Sequence, residues 1–267
     1  ARDAKVMHNS TADLANALSK VPGVKVRESG GVGSDARFSL DGFSGKHIKF
    51  FIDGVPMDGM GTSFGINNIP INLAERIEVY RGVVPVGFGA DAIGGVVNIV
   101  TGGAARRRTF LDVSYSYGSF NTHRSYINFG HTSKKGFTFE INAYQNYSDN
   151  TYKIQTPVKY FEQGGMDETK EETVKRFHDT YHNESIIIKT GVVNKKIADK
   201  FIIGINLSQS EKEIQTGIRQ LIVFGDKRTK AHSVMPSLHY RKRNFIAKGL
   251  DVSITANMNY NITRNID

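Results

Sequence analysis

Leu250-Asp251-Val252-Ser253-Ile254-Thr255-Ala256-Asn257-Met258-Asn259-Tyr260-Asn261-Ile262 carries an apolar or aromatic side chain at every second position and a polar one between. Side chains alternate across a strand with period two, so this stretch reads as one long two-faced strand. Residues 137–148 repeat the pattern: Phe137, Phe139, Ile141, Ala143 and Tyr147 fall on one side, Thr138, Glu140, Asn142, Asn146 and Ser148 on the other. In residues 201–208, Phe201, Ile203, Ile205 and Leu207 oppose Ile202, Gly204, Asn206 and Ser208. Weaker copies lie near 109–118, 123–132, 181–193 and 231–243.

These strands exceed the roughly 5–6 residues of an ordinary sheet and approach the ~9–11 that a tilted strand needs to cross a bilayer. The joins at 133–136, 194–200 and 244–249 are short, whereas those at about 149–180 and 211–230 are long and polar. Short turns at one rim and long loops at the other are the habit of an outer-membrane barrel. The join at 118–122 is short where a long one is due.

Residues 1–104 have a different texture, rich in Gly and short strands. Ser10 to Leu18 predicts a short helix capped by Ser10 or Thr11, with Leu14, Ala17 and Leu18 on one face and Pro22-Gly23 as the stop. Brief strands are expected at 24–27, 38–40, 48–52, 77–80 and 96–100, which makes this part a small α+β globule.

Five motifs follow one another here: Pro22-Gly23-Val24, Phe38-Ser39-Leu40-Asp41-Gly42-Phe43, Phe51-Ile52-Asp53-Gly54-Val55-Pro56, Ala74 to Gly82 (AERIEVYRG) and Gly87 to Thr101 (GFGADAIGGVVNIVT), in that order. Together they resemble the plug domain of TonB-dependent outer-membrane receptors. The resemblance implies an α+β plug domain over 1–104 and the N-terminal part of an antiparallel transmembrane β-barrel over 105–267. It implies active import of a scarce nutrient (an iron chelate, haem, cobalamin or a glycan) across the outer membrane of a Gram-negative bacterium. The expected partners are the TonB energy-transducing system, outer-membrane lipid and a small-molecule ligand or glycan; no cofactor, metal site or catalysis is expected. A non-transporting binding or assembly module that docks a surface lipoprotein is the competing class.

The family's outward plug turns fall at 29–35, 42–47 and 58–67, which makes Ser34, Asp35, Ser44, Lys46, Met60, Thr62 and Phe64 candidate ligand contacts. The resemblance also implies a charge cluster between plug and barrel wall, carried here by Asp41, Arg76, Glu78 and Arg81. Where the family usually has Arg, this chain has Asp41, which is expected to pair with Arg81 or Arg37.

A globule of about 100 residues has a radius of gyration near 13 Å. Eight strands enclose little more than side chains, and a plugged lumen goes with about 22, so about seven strands make a partial barrel. The TonB box is not recognisable in residues 1–9, and the coupling segment is expected outside this chain.

The composition narrows the alternatives. No apolar run reaches the ~18 residues of a spanning helix. Ala1-Arg2-Asp3-Ala4-Lys5 lacks an apolar signal core, as in a cytosolic, processed or excised chain. There is no Cys, which removes disulfides and thiolate sites, and the aromatic content is 11 Tyr and 16 Phe with no Trp.

The net charge of +9 comes from scattered Lys and Arg, many in short turns, without a nucleic-acid module. Gly87-x-Gly89-x-x-Ala92 lacks the βαβ unit of a dinucleotide site. His178-Asp179-Thr180-Tyr181-His182 lacks the Glu of a zinc-protease pair. The charged run 167–176 is expected to form a helical turn on an outer loop.

Overall fold

The computed structural model describes residues 2–3, 13–58, 62–89, 92–101, 109–160, 168–216 and 223–267. The first hundred residues build around one helix and two small sheets. Helix α1 (Leu14–Ser19) is capped by Asp13, whose side chain accepts from the Asn16 amide at 2.8 Å. Ser10 and Thr11, the caps expected from the sequence, lie outside the described residues, and Asp13 occupies the capping position instead. Leu14 and Leu18 are fully buried beneath the sheets.

The larger plug sheet contains β1 (Arg2–Asp3), β5 (Ile48–Ile52), β6 (Val55–Pro56), β7 (Ala74–Tyr80) and β8 (Gly95–Thr101), in the order β1-β7-β8-β5-β6. Strands β5 and β8 run parallel, and β7 runs antiparallel to β8. The smaller sheet joins β2 (Val24–Glu28), β3 (Ala36–Leu40) and β4 (Phe43–Ser44). All five strands expected before residue 104 are present; 48–52 has the expected bounds, and the other four are extended by one to three residues at one or both ends.

The remaining strands form a wall. Its members are β9 (Thr109–Gly118), β10 (Thr122–Thr132), β11 (Phe137–Ser148), β14 (Tyr181–Val193), β15 (Lys200–Glu213), β16 (Arg228–Lys242), β17 (Val252–Asn257) and β18 (Tyr260–Ile266). They are antiparallel in chain order, with β17 and β18 both beside β16. The wall does not close, and β9 and the β17–β18 line are its edges among the described residues.

β17 and β18 are one strand in register. Ser237 faces Asn257 and Val234 faces Tyr260 on the same continuous ladder. The interruption falls at Met258 and Asn259, opposite Pro236, which accepts from the Met258 amide at 3.1 Å but has no N–H to return. Counted this way, the wall has the seven crossings that the alternation predicts.

The faces are distributed as a membrane wall requires. In β11 the polar set Thr138, Glu140, Asn142, Asn146 and Ser148 is buried against the plug, and Phe137, Phe139, Ile141 and Ala143 lie on the more open face. Across neighbouring strands Phe129, Ile141, Ile188, Ile205 and Pro236 align in one outward row. From the Phe137 row to the Ala143 row is about 20 Å along the strand at ~3.4 Å per residue. With the width of the side chains this approaches the ~25 Å apolar band of outer-membrane barrels.

One expectation fails. The charged run does not turn helical: β13 (Glu168–Lys175) pairs with β12 (Lys153–Tyr160) as a separate hairpin inside the long 149–180 connection. Its partner strand is too distant in sequence for local charge alternation to reveal.

Candidate functional site

The polar contacts between plug and wall concentrate at two levels, beside an apolar cluster shared by Phe64 of the plug and Tyr144, Ile187 and Met235 of the wall. At the long-loop rim, Asn150 sits at φ 49° and holds the plug turn 29–35. Its Nδ2 donates to the carbonyls of Val32 and Asp179 at 2.9 Å each, and its Oδ1 accepts from the Val32 amide at 3.0 Å. The Tyr152 hydroxyl accepts from the Gly31 amide at 3.3 Å, and Lys212 Nζ donates to the Gly33 carbonyl at 2.8 Å.

Gly33 has φ 77°, and a Cβ there would lie 2.2 Å from the Tyr181 ring, so this apex needs glycine on both counts. The Arg176 guanidinium lies over the Tyr152 ring and pairs with Asp179 at 2.8 Å, which ties the root of the outer hairpin to the same place. Deeper in the seam, Asn183 Nδ2 donates to the Ser63 carbonyl at 2.7 Å and Asn146 Nδ2 to the Asn68 carbonyl at 2.8 Å.

Near the short-turn rim the contact is ionic. Asp53, at φ 51° in the turn after β5, accepts from the Thr101 amide at 2.9 Å and the Thr101 hydroxyl at 2.6 Å. Lys189 Nζ reaches across from β14 to Asp53 Oδ2 at 2.7 Å and to Thr101 Oγ1 at 3.0 Å. Burial pushes the Asp53 carboxyl upward, but the adjacent Lys189 ammonium and the Lys189 and Thr101 hydrogen bonds outweigh it and hold the group below its ordinary value. A cavity of about 500 Å³ opens beside this pair, between Glu75 and Arg76 of the plug and Glu140, Lys200 and His239 of the wall.

The charge cluster read from the sequence resolves into two pairs within the plug. Arg76 Nη2 lies 2.8 Å from Glu78 Oε1, and Arg81 Nε lies 3.4 Å from Asp41 Oδ2. Arg81 also donates to the Pro22 carbonyl. Burial opposes ionisation of Glu78, but bonds from Asn98, Arg76 and Tyr80 keep its carboxyl below the usual range. The ion pairs that cross to the wall include Asp53–Lys189 and Asp13–Arg124, the latter at 3.4 Å.

Of the ligand candidates, Asp35, Ser44, Lys46 and Thr62 are exposed, and Met60 lies outside the described residues. Ser34 is buried, and its hydroxyl has no hydrogen-bond partner among the described residues. Phe64 is 2% exposed and packs in the core with its ring centroid 6.4 Å from that of Tyr144, so it is a wall contact and not open to a ligand. Ser44 and Lys46 lie before β5, at the opposite end of that strand from Asp53.

Lys189, Asn150 and Asn183 went unsingled in the sequence, and Asn146 was read only as part of the polar face of its strand, although a lysine in the apolar run Ile186-Ile187-Ile188-Lys189 is a usable signal. The Gly87-Phe88-Gly89 segment is a short 3-10 turn (Val86–Phe88) before β8. His178 and His182 engage separate partners, the Lys227 carbonyl and Glu184.

Residues 3–96 match the family described as the TonB-dependent receptor plug domain. The chain carries the plug of a TonB-dependent receptor. The vitamin B12 transporter BtuB of Vibrio vulnificus strain CMCP6 is 32% identical over 133 residues, covering 47% of this chain and 22% of that protein.

Among solved structures, a mutant of the ferric enterobactin receptor PfeA of Pseudomonas aeruginosa superposes with a TM-score of 0.63 at 17% identity, over 99% of this chain and 40% of that one. The iron transporter FrpB of Neisseria meningitidis gives 0.68 at 14% identity, over 98% and 40%. This chain therefore spans a minor part of each relative's length, and what it shares with the solved structures is the fold. As a TonB-dependent receptor fragment, it belongs to the outer membrane of a Gram-negative bacterium, with the plug on the polar inner face of a partial barrel.

Proposed function

We propose that this plug and wall belong to an active importer that captures a scarce nutrient at the long-loop rim and passes it to the periplasm with TonB-supplied energy. The observation that carries the reading is the polar seam. Asn146, Asn183, Ser63, Asp53 and Lys189 join plug to wall through hydrogen bonds and an ion pair. Such bonds exchange for water at small net cost, about 0.5–1.5 kcal/mol each, so a plug held this way can be moved and reseated.

Asp35, Ser44, Lys46 and Thr62 are the exposed plug positions offered to a ligand, with Met60 beside Thr62 in the chain and the Ser34 hydroxyl as a buried polar group near the apex. The ion pairs Arg76–Glu78 and Asp41–Arg81 would keep the plug rigid as it moves. The cargo class is an iron chelate, haem, cobalamin or a glycan, and the energy-coupling partner is the inner-membrane TonB system.

Cells producing the complete receptor should accumulate labelled ligand when the inner membrane is energised and stop when the proton gradient is collapsed. Uptake that persists after collapse would remove the transporter reading.

A further inference from the structure

The two rims of the wall differ in how their charges are used. At the long-loop rim bases find acids: Arg176 pairs with Asp179, Lys230 and Arg228 with Glu211, and Lys227 with Asp267. At the short-turn rim most bases do not.

The turn 133–136 is Ser-Lys-Lys-Gly, with Lys134 and Lys135 exposed. The turn 194–199 holds Lys195 and Lys196, followed by Lys200, and 243–251 adds Lys248 after Arg241. Among the described residues Lys134, Lys135, Lys195, Lys196 and Lys248 make no salt bridge; Lys200, whose charge acts on Asp53, and Arg241 line the inward cavity instead, and Lys242 and Arg243 share Asp199. The turns form a continuous edge. The Val193 amide donates to the Gly136 carbonyl at 2.8 Å, and the Asp199 amide donates to the Arg241 carbonyl at 2.9 Å.

The same turns carry bare apolar side chains. Ile197 is 75% exposed, Ile246 81% and Phe245 47%. The Tyr240 hydroxyl, on the outward face of β16, donates to the Ile197 carbonyl at 2.9 Å and draws that turn towards the lipid side. Phe137, Phe201 and Tyr240 make the last outward row above the turns, which fixes the level of the membrane interface.

We infer that the short-turn rim is a docking belt for anionic phospholipid of the inner leaflet. Ile197, Phe245 and Ile246 enter the acyl boundary, and the lysines stand at phosphate height, where juxtamembrane basic clusters select anionic headgroups. A partner reached only through water would not require the apolar side chains, and a neutral lipid would not require the unpaired charge. The inference stands apart from transport, because it concerns how the barrel is seated.

The test uses the complete receptor in neutral detergent, mixed with phosphatidylglycerol and phosphatidylcholine of identical acyl chains, and reads retained lipid by native mass spectrometry. Phosphatidylglycerol should be retained at least about threefold over phosphatidylcholine, and about 0.5 M salt should erase the preference. The K134Q/K135Q/K195Q/K196Q variant should fall to parity, and the corresponding all-Arg variant should keep the preference. F245S/I246S should lower retention of both lipids and leave their ratio unchanged. Heat-modifiable migration on SDS gels establishes that each variant is folded, and the salt arm on the unaltered protein decides the matter if a variant is not. Parity in the unaltered receptor, or an unchanged ratio in the Gln variant, overturns the inference. So does capture of poly-glutamate with lipid parity, which would assign the rim to an acidic polypeptide.

Discussion

Lys189 of the wall and Asp53 of the plug meet at 2.7 Å with Thr101 bonded to both, so one side chain from β14 fixes the turn that follows β5 and the end of β8 together. Removing one partner leaves the other charge in a half-buried site without compensation. Lys189→Met should lower the stability of plug seating by about 1–3 kcal/mol. Asp53→Asn with Lys189→Met should cost less than Lys189→Met alone, since no stranded charge remains. Urea midpoints for plug release, arranged as a double-mutant cycle, give the coupling directly; additive losses would mean that the pair contributes nothing as a pair.

The same pair sets a pH dependence. The folded carboxyl of Asp53 lies below its ordinary value of 3.8, so its contribution is fully present above that value and disappears as pH falls through the lowered one. Plug seating should therefore be flat with respect to Asp53 from about pH 5 to 8 and weaken only in stronger acid. Protease protection of the plug across that range, compared with Asp53→Asn, isolates the Asp53 share.

At the outer apex, Gly33→Ala should disturb residues 29–35 out of proportion to its size. A left-handed backbone costs an alanine about 1–2 kcal/mol, and the new methyl would also meet Tyr181. Tyr181→Ala in the same chain should relieve the steric share and leave the backbone share. Amide exchange at Val32 and Gly33 reports both.

Asn150→Ala removes three hydrogen bonds that join plug apex, hairpin root and Asp179. Trypsin should then cut within 149–180 markedly faster in the folded protein, with the wall strands still protected. Equal cleavage rates would show that the hairpin is held by Tyr152 and Arg176 alone.

Pro236→Val restores an N–H facing Met258. The Met258–Asn259 interruption should close, slowing exchange at neighbouring β18 amides, with a gain of about 0.5–1.5 kcal/mol. Unchanged exchange would assign the interruption to Asn259, which donates to the Asp58 carbonyl of the plug at 2.6 Å.

Much of the fold was readable because alternation is a local property. Residues 137–148 and 201–208 announce long strands by themselves, and the plug motifs place the short ones. Which face turns inward is not local: the pattern is identical whether the apolar set meets a core or lipid, and only the plug lying against Asn142 and Asn146 decides. Phe64 looked available in a glycine-containing turn because its partner, Tyr144, is distant in the chain. Asn150 and Lys189 were missed for the same reason, their functions being defined by Val32 and Asp53. Asp13 displaced the expected cap because a serine or threonine at 10 or 11 and an aspartate at 13 are equally good candidates until the first helical turn is located.

The inner face of β11 presents an amide, a hydroxyl or a carboxylate at nearly every inward position, where a soluble protein would place oil. A surface of that kind is as comfortable wet as dry. A gap opened beside this strand would admit water without baring an aliphatic surface; the aliphatic wall contacts with the plug sit on other strands, at Ile187 and Met235.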